Sequence, residues 1–123
     1  MQEILQDLVL QFDDLQIATM NYQKALKLKT MGKFTFADKL FDESFILLFR
    51  TIGGTSSSNS LLMAQLLFEK AENSRYLARK TEYVKSLHLL SIRIYKQYKE
   101  DENRFDYFVA KNLFAMIGLL IDQ

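Results

Sequence analysis

The chain has no cysteine. That removes disulfide frameworks, thiolate-bound zinc and thiol nucleophiles together, and it fits a reducing cytoplasm, the compartment expected here. It has no proline and only four glycines, at 32, 53, 54 and 118, so little in the sequence interrupts a helix. It has no tryptophan and one histidine. It also lacks an excess of charge: 16 Lys and Arg stand against 15 Asp and Glu, a net +1 with no global field toward nucleic acid or an anionic membrane. Long apolar runs are missing too. The longest stretch, Leu113 to Ile121, is about half of the ~20 residues a membrane span needs. The start carries Glu3, Asp7, Asp13 and Asp14 rather than a basic flank and short apolar core, so neither a secretory signal nor a membrane association is expected.

What is present suits a packed helical core. Hydrophobic residues make up 49% of the 123, with ten Phe and six Tyr among them, enough for one domain without metal or disulfide. No alternation long enough for a strand occurs, and the expected fold is an all-α antiparallel bundle of four to five helices. The whole chain, 1–123, reads as a single helical domain: a helical hairpin over 1–50, a flexible loop over 51–60 and further helices over 61–123.

Residues 3–31 form the first predicted helix. Leu5, Leu8, Phe12, Leu15, Thr19, Tyr22 and Leu26 follow a 3–4 rhythm along one face, with Ala18 and Ala25 beside it to admit a close neighbour. Gly32 ends this helix, and Lys24, Lys27, Lys29 and Lys33 toward its C-terminal end complement the helix dipole. Thr35 to Asp38 resembles a capping box that opens a second helix to about Arg50, with Ala37, Leu40, Phe41, Ser44, Leu47 and Leu48 inward. The connection is so short that the two helices must be antiparallel.

The TIGGTSSSNS segment at 51–60 is the one loop-like stretch. A third helix follows from a Ser or Asn cap near 58–60, with Ala64, Leu67, Ala71, Ser74 and Ala78 on its inner rhythm and Leu61, Phe68 and Leu77 flanking. Either it continues to 99 or it breaks near Arg79–Thr81, with Thr81 as N-cap. Tyr83, Leu87, Leu90, Ile94 and Gln97 form the next seam. A last helix covers about 104–121, with Phe105, Phe108, Val109, Met116 and Leu120 inward.

The inventory of reactive groups is short. His88 is the only candidate general base or phospho-acceptor, and no acid lies three or four residues from it on its own helix. A partly buried helix histidine with one hydrogen bond is the plainer reading. Gly53 to Ser58 lacks the Lys-Ser/Thr pair and the preceding strand of a phosphate loop, so it reads as a linker. The acids at 13–14, 42–43 and 100–102 have no oxygen-cage spacing, so no metal and no cofactor is expected.

Charge placement says more than net charge. Residues 69–99 hold eight Lys and Arg against three Glu, interleaved with Tyr76, Tyr83, Tyr95 and Tyr98. Lys70, Arg75, Arg79, Lys80 and Lys85 would be the phosphate contacts of a nucleic-acid-binding face. The alternative, solvated faces with tyrosine at the core edge, ranks ahead of it.

Ile17-Ala18-Thr19-Met20, Ala25-Leu26 and Gly32-Lys33-Phe34-Thr35-Phe36-Ala37-Asp38-Lys39-Leu40 resemble the N-terminal hairpin of the lactose/cellobiose-specific enzyme IIA family of the sugar phosphotransferase system. The resemblance covers roughly 40% of the chain. It implies a related hairpin or a trimer-like scaffold, since that family packs three-helix chains as trimers and passes phosphate through a histidine on its third helix. Where that histidine is expected, this chain reads Leu67 to Tyr76 with none, and His88 is followed by Leu89-Leu90-Ser91. A phosphocarrier would therefore depend on His88 alone.

Taken together, the expectation is a non-enzymatic module that binds a protein partner or itself as a homo-oligomer, with the phosphocarrier and the nucleic-acid binder as alternatives. Its candidate interaction surface is the last helix, where Phe105, Phe108, Phe114, Met116, Ile117 and Leu120 put apolar groups on more than one face.

Overall fold

The computed structural model describes residues 2–52, 57–97 and 102–121, with side chains described over 14–50, 60–97 and 106–121. Five helices follow in order: α1 (Gln2–Thr30), α2 (Phe34–Ile52), α3 (Ser57–Tyr76), α4 (Thr81–Lys96) and α5 (Glu102–Ile121). The protein is all-α, with no strand among the described residues. Its contacts gather into two compact units, residues 1–59 and 60–123. The boundary falls inside the segment read as a loop. That segment is shorter than 51–60, because α2 continues through Ile52 and α3 already begins at Ser57.

In the first unit α1 and α2 form the expected antiparallel hairpin. Small residues let the backbones approach: Ala18, Ala25 and Ala37 are fully buried, with Phe41 and Leu48 as the large side chains of the seam. The Ser44 hydroxyl donates to the Ala18 carbonyl across the pair at 2.7 Å, and Tyr22 meets Phe41 at a ring separation of 6.2 Å. The predicted face of α1 is therefore shifted: Leu15, Thr19, Tyr22 and Leu26 flank the contact and are half-buried, while the alanines form it. Leu5, Leu8 and Phe12 lie outside the described side chains.

Gly32 ends α1 as expected. Its φ of +79° accompanies a paired closure, with the Lys33 N–H on the Leu28 carbonyl and the Gly32 N–H on the Lys29 carbonyl. The capping box at Thr35 does not form as read. Helix α2 opens one residue earlier, at Phe34, and the Ala37 N–H bonds the Lys33 carbonyl.

In the second unit the break between α3 and α4 is real. The Arg79 N–H bonds the Ser74 carbonyl and the Ala78 N–H bonds the Arg75 carbonyl. This is the closure seen at Gly32, but the left-handed position is Ala78, at φ +57°. Ala78 is thus exposed in a turn rather than inside the α3 seam, and Thr81 opens α4 with Lys80 as N-cap and no side-chain cap bond. Contacts run Ala64 to Ser91 and Phe68 to His88 between α3 and α4, and His88 to Asn112 and Tyr95 to Phe108 between α4 and α5. Each consecutive pair is antiparallel, so α3 and α5 run parallel. The apolar layer joins Ala64 and Tyr95 with Leu61, Ile94, Phe108 and Val109. Tyr95 stacks on Phe108 at 5.2 Å, and burial, with Glu69 adding to it, pushes its phenol up to about 12.

Two predicted seams are corrected here. Helix α4 buries Val84, Leu87, His88, Ser91, Ile92 and Tyr95, whereas Tyr83, Leu90 and Gln97 are exposed. Helix α5 buries Asn112 and Leu119, with Phe108, Val109 and Met116 half-buried, while Leu120 faces outward. In both, a buried polar residue turns the helix about its axis relative to a reading based on apolar residues alone.

Candidate functional site

Two features of the second unit hold its chemistry: a buried polar cluster and an outward apolar stripe.

The cluster is assembled by three helices. On α4, His88 and Ser91 lie one turn apart; on α5, Asn112 faces both; on α3, the Ala64 carbonyl and Glu72 complete it. The Ser91 hydroxyl donates to the Ala64 carbonyl at 2.8 Å. The Asn112 amide donates to Ser91 Oγ at 3.2 Å and to the Phe108 carbonyl at 3.0 Å. With its NH₂ engaged twice, Asn112 turns its oxygen to His88 Nδ1, 2.8 Å away. An amide oxygen only accepts, so this nitrogen carries the imidazole proton. The other nitrogen, Nε2, lies 3.7 Å from Glu72 Oε1, beyond hydrogen-bond length.

His88 has no solvent-exposed surface, and Phe68 meets its ring edge-on at 5.5 Å. Desolvation is the largest influence on the imidazole and holds its pKa below the ordinary 6.5, with Arg75 adding to the fall; the Asn112 bond and the Glu72 charge oppose it. The single histidine is therefore more buried than the sequence suggested. In this arrangement neither nitrogen is presented to a phosphoryl donor. Glu72 was not foreseen, because it is adjacent across helices rather than along one.

The stripe lies on α5. Leu113, Phe114, Ile117, Leu120 and Ile121 are all exposed, Phe114 by 78% and Ile121 by 77%. Their spacing of 3 and 4 puts them on one face. Of the candidate surface residues, Phe114, Ile117 and Leu120 belong to this stripe, Phe108 and Met116 are half-buried, and Phe105 lies outside the described side chains. Leu113 and Ile121 are stripe members that the reading missed. Exposed apolar residues elsewhere include Ile17, Met20, Phe36, Ile46 and Phe49 in the first unit and Leu89, Leu90 and Tyr107 in the second.

The cationic face is smaller than read. Lys70 is buried, its ammonium 6.0 Å from the Tyr83 ring centre, and Arg75 is half-buried with its guanidinium against Gly118. Arg79, Lys80 and Lys85 remain exposed; Tyr76 and Tyr83 are exposed, Tyr95 is buried and Tyr98 lies outside the described residues. Among the described residues no three His, Asp or Glu converge on a metal position, and no helix is long and apolar enough to cross a membrane.

Compared with family models, curated proteins and solved structures, the chain finds no match.

Proposed function

We propose that the protein is a non-enzymatic helical module that associates with a second copy of itself through the outer face of α5. The observation that carries this reading is the stripe itself: five large apolar side chains on one face of one helix, each between 48% and 78% exposed. Five such residues, each about half exposed or more, leave an apolar patch on the order of a few hundred Å² open, the size of the largest and often functional patches of monomers. Mirrored on a second copy and enlarged by its rim, such a patch approaches the ~800 Å² per partner of a standard interface.

A second copy is the occupant favoured by charge. At a net +1 two copies meet without appreciable repulsion, whereas a strongly charged partner would find no complementary field. A two-fold pairing also lets the same stripe serve both sides. The burial of His88 fits a role in packing. Light scattering over a dilution series tests the proposal. The expected result is a mass above 14.4 kDa that falls toward that value on dilution; a constant 14.4 kDa at high concentration would count against it.

A further inference from the structure

The cluster around His88 has a consequence separate from association. Its hydrogen bonds are directional from one end to the other. The Ser91 hydroxyl is spent on Ala64, the Asn112 NH₂ is spent on Ser91 and Phe108, and the His88 proton is therefore committed to Asn112 through Nδ1. That leaves Nε2 as a bare lone pair, facing a carboxylate oxygen of Glu72 at 3.7 Å in a site without solvent contact. A second proton on the ring would turn Nε2 into a charged donor. The Glu72 carboxylate would have to close by about 1 Å to reach the ~2.7–2.9 Å of a charge-assisted bond.

The other charged groups around the ring resist that. From α3, Arg75 opposes a positive imidazole. From α5, the Lys111 ammonium stands 4.5 Å over the Phe68 ring, whose edge meets His88. On α4 itself the nearest charged side chain in sequence is Lys85, another cation. Glu72 is thus the one favourable charge among these, and it is partly exposed.

We propose that His88 is an acid-sensitive latch of the second unit: neutral, it ties α3, α4 and α5 together; protonated, it loosens them. The sign follows from linkage. The folded unit holds the imidazole below its ordinary pKa, so it binds fewer protons than the unfolded chain once the pH falls below about 6.5. Stability is complete above that value and is lost progressively as the pH falls toward the folded-state pKa. The α5 anchor is the part most exposed to this loss, because Asn112 joins α5 to both His88 and Ser91.

Since His88 is the only histidine, its ring-proton resonance in the full chain is unambiguous. The expected titration midpoint lies below 6.5, or the ring stays neutral until the helices melt; a midpoint at or above 6.5 in the folded chain overturns the proposal. His88→Asn keeps a side-chain donor for Asn112 and cannot charge. Denaturant midpoints at about pH 7.5 and about pH 5.5 should fall with acid in the parent chain and stay level in this variant. An equal fall in both also overturns it. If His88→Asn does not fold, the titration of the parent chain decides alone.

Discussion

Two left-handed residues close two helices in the same way, and only one is a glycine. Gly32, at φ +79° with nothing within 4 Å of an added Cβ, is held there by backbone conformation alone. Gly32→Ala should lower stability by about 1 kcal/mol, from conformational strain without any clash. Ala78 occupies the matching place after α3 at φ +57°. Ala78→Gly should therefore raise stability by about 0.5–1 kcal/mol, the relief of strain exceeding the extra freedom glycine brings to the unfolded chain. Chemical denaturation of both variants measures the pair, and changes of equal sign would contradict the argument. Asn112 is the residue on which the polar cluster turns. Asn112→Ala leaves the His88 donor without its acceptor and should cost about 2–3 kcal/mol, seen as a lowered denaturation midpoint.

At the scale of elements, the helices were legible in the sequence and their rotations only partly so. Their existence follows from the 3–4 spacing and from the lack of proline. In α2 the buried face is the expected one, with Ser44 inward; in α3 Ala64, Leu67, Ala71 and Ser74 are buried as expected, but Ala78 lies in the turn and Leu66, Lys70 and Asn73 are buried besides. In α4 and α5 the apolar rhythm leaves out Ser91 and Asn112, which are buried, and the inward faces are turned from the expected ones. A buried polar residue is cheap only when its partners are in place, and those partners lie on other helices, where a single periodicity cannot register them. Gly118 shows the same limit from the other side. It reads as punctuation, yet it lies inside α5, where an added Cβ would meet the Arg75 guanidinium at an ordinary 3.5 Å. Gly118→Ala should be tolerated and gain up to about 1 kcal/mol of helix stability. In the hairpin the opposite holds. Ala25→Leu adds bulk where Ala25 is fully buried, and should cost about 1–3 kcal/mol by forcing α1 and α2 apart. Thermal melts followed by circular dichroism distinguish these two outcomes.

For the molecule as a whole, the sequence marked the join between the two units through its Gly- and Ser-rich segment, and it marked α5 as apolar on more than one face. It did not show which face would be left open, because that depends on the rotation set by Asn112. Once α5 is turned so that Asn112 and Leu119 face inward, Phe114, Ile117 and Leu120 are carried outward with Leu113 and Ile121. Association through this stripe is the central claim, and its residues contribute little to the unit's own core, so altering them separates assembly from folding. The direct measurement is sedimentation equilibrium of the parent chain beside a Phe114→Glu, Leu120→Glu double variant of unchanged helix content. The account predicts a concentration-dependent mass above 14.4 kDa for the parent and a single species near 14.4 kDa for the variant. A parent that stays at 14.4 kDa, or a variant that associates as strongly as the parent, would contradict it.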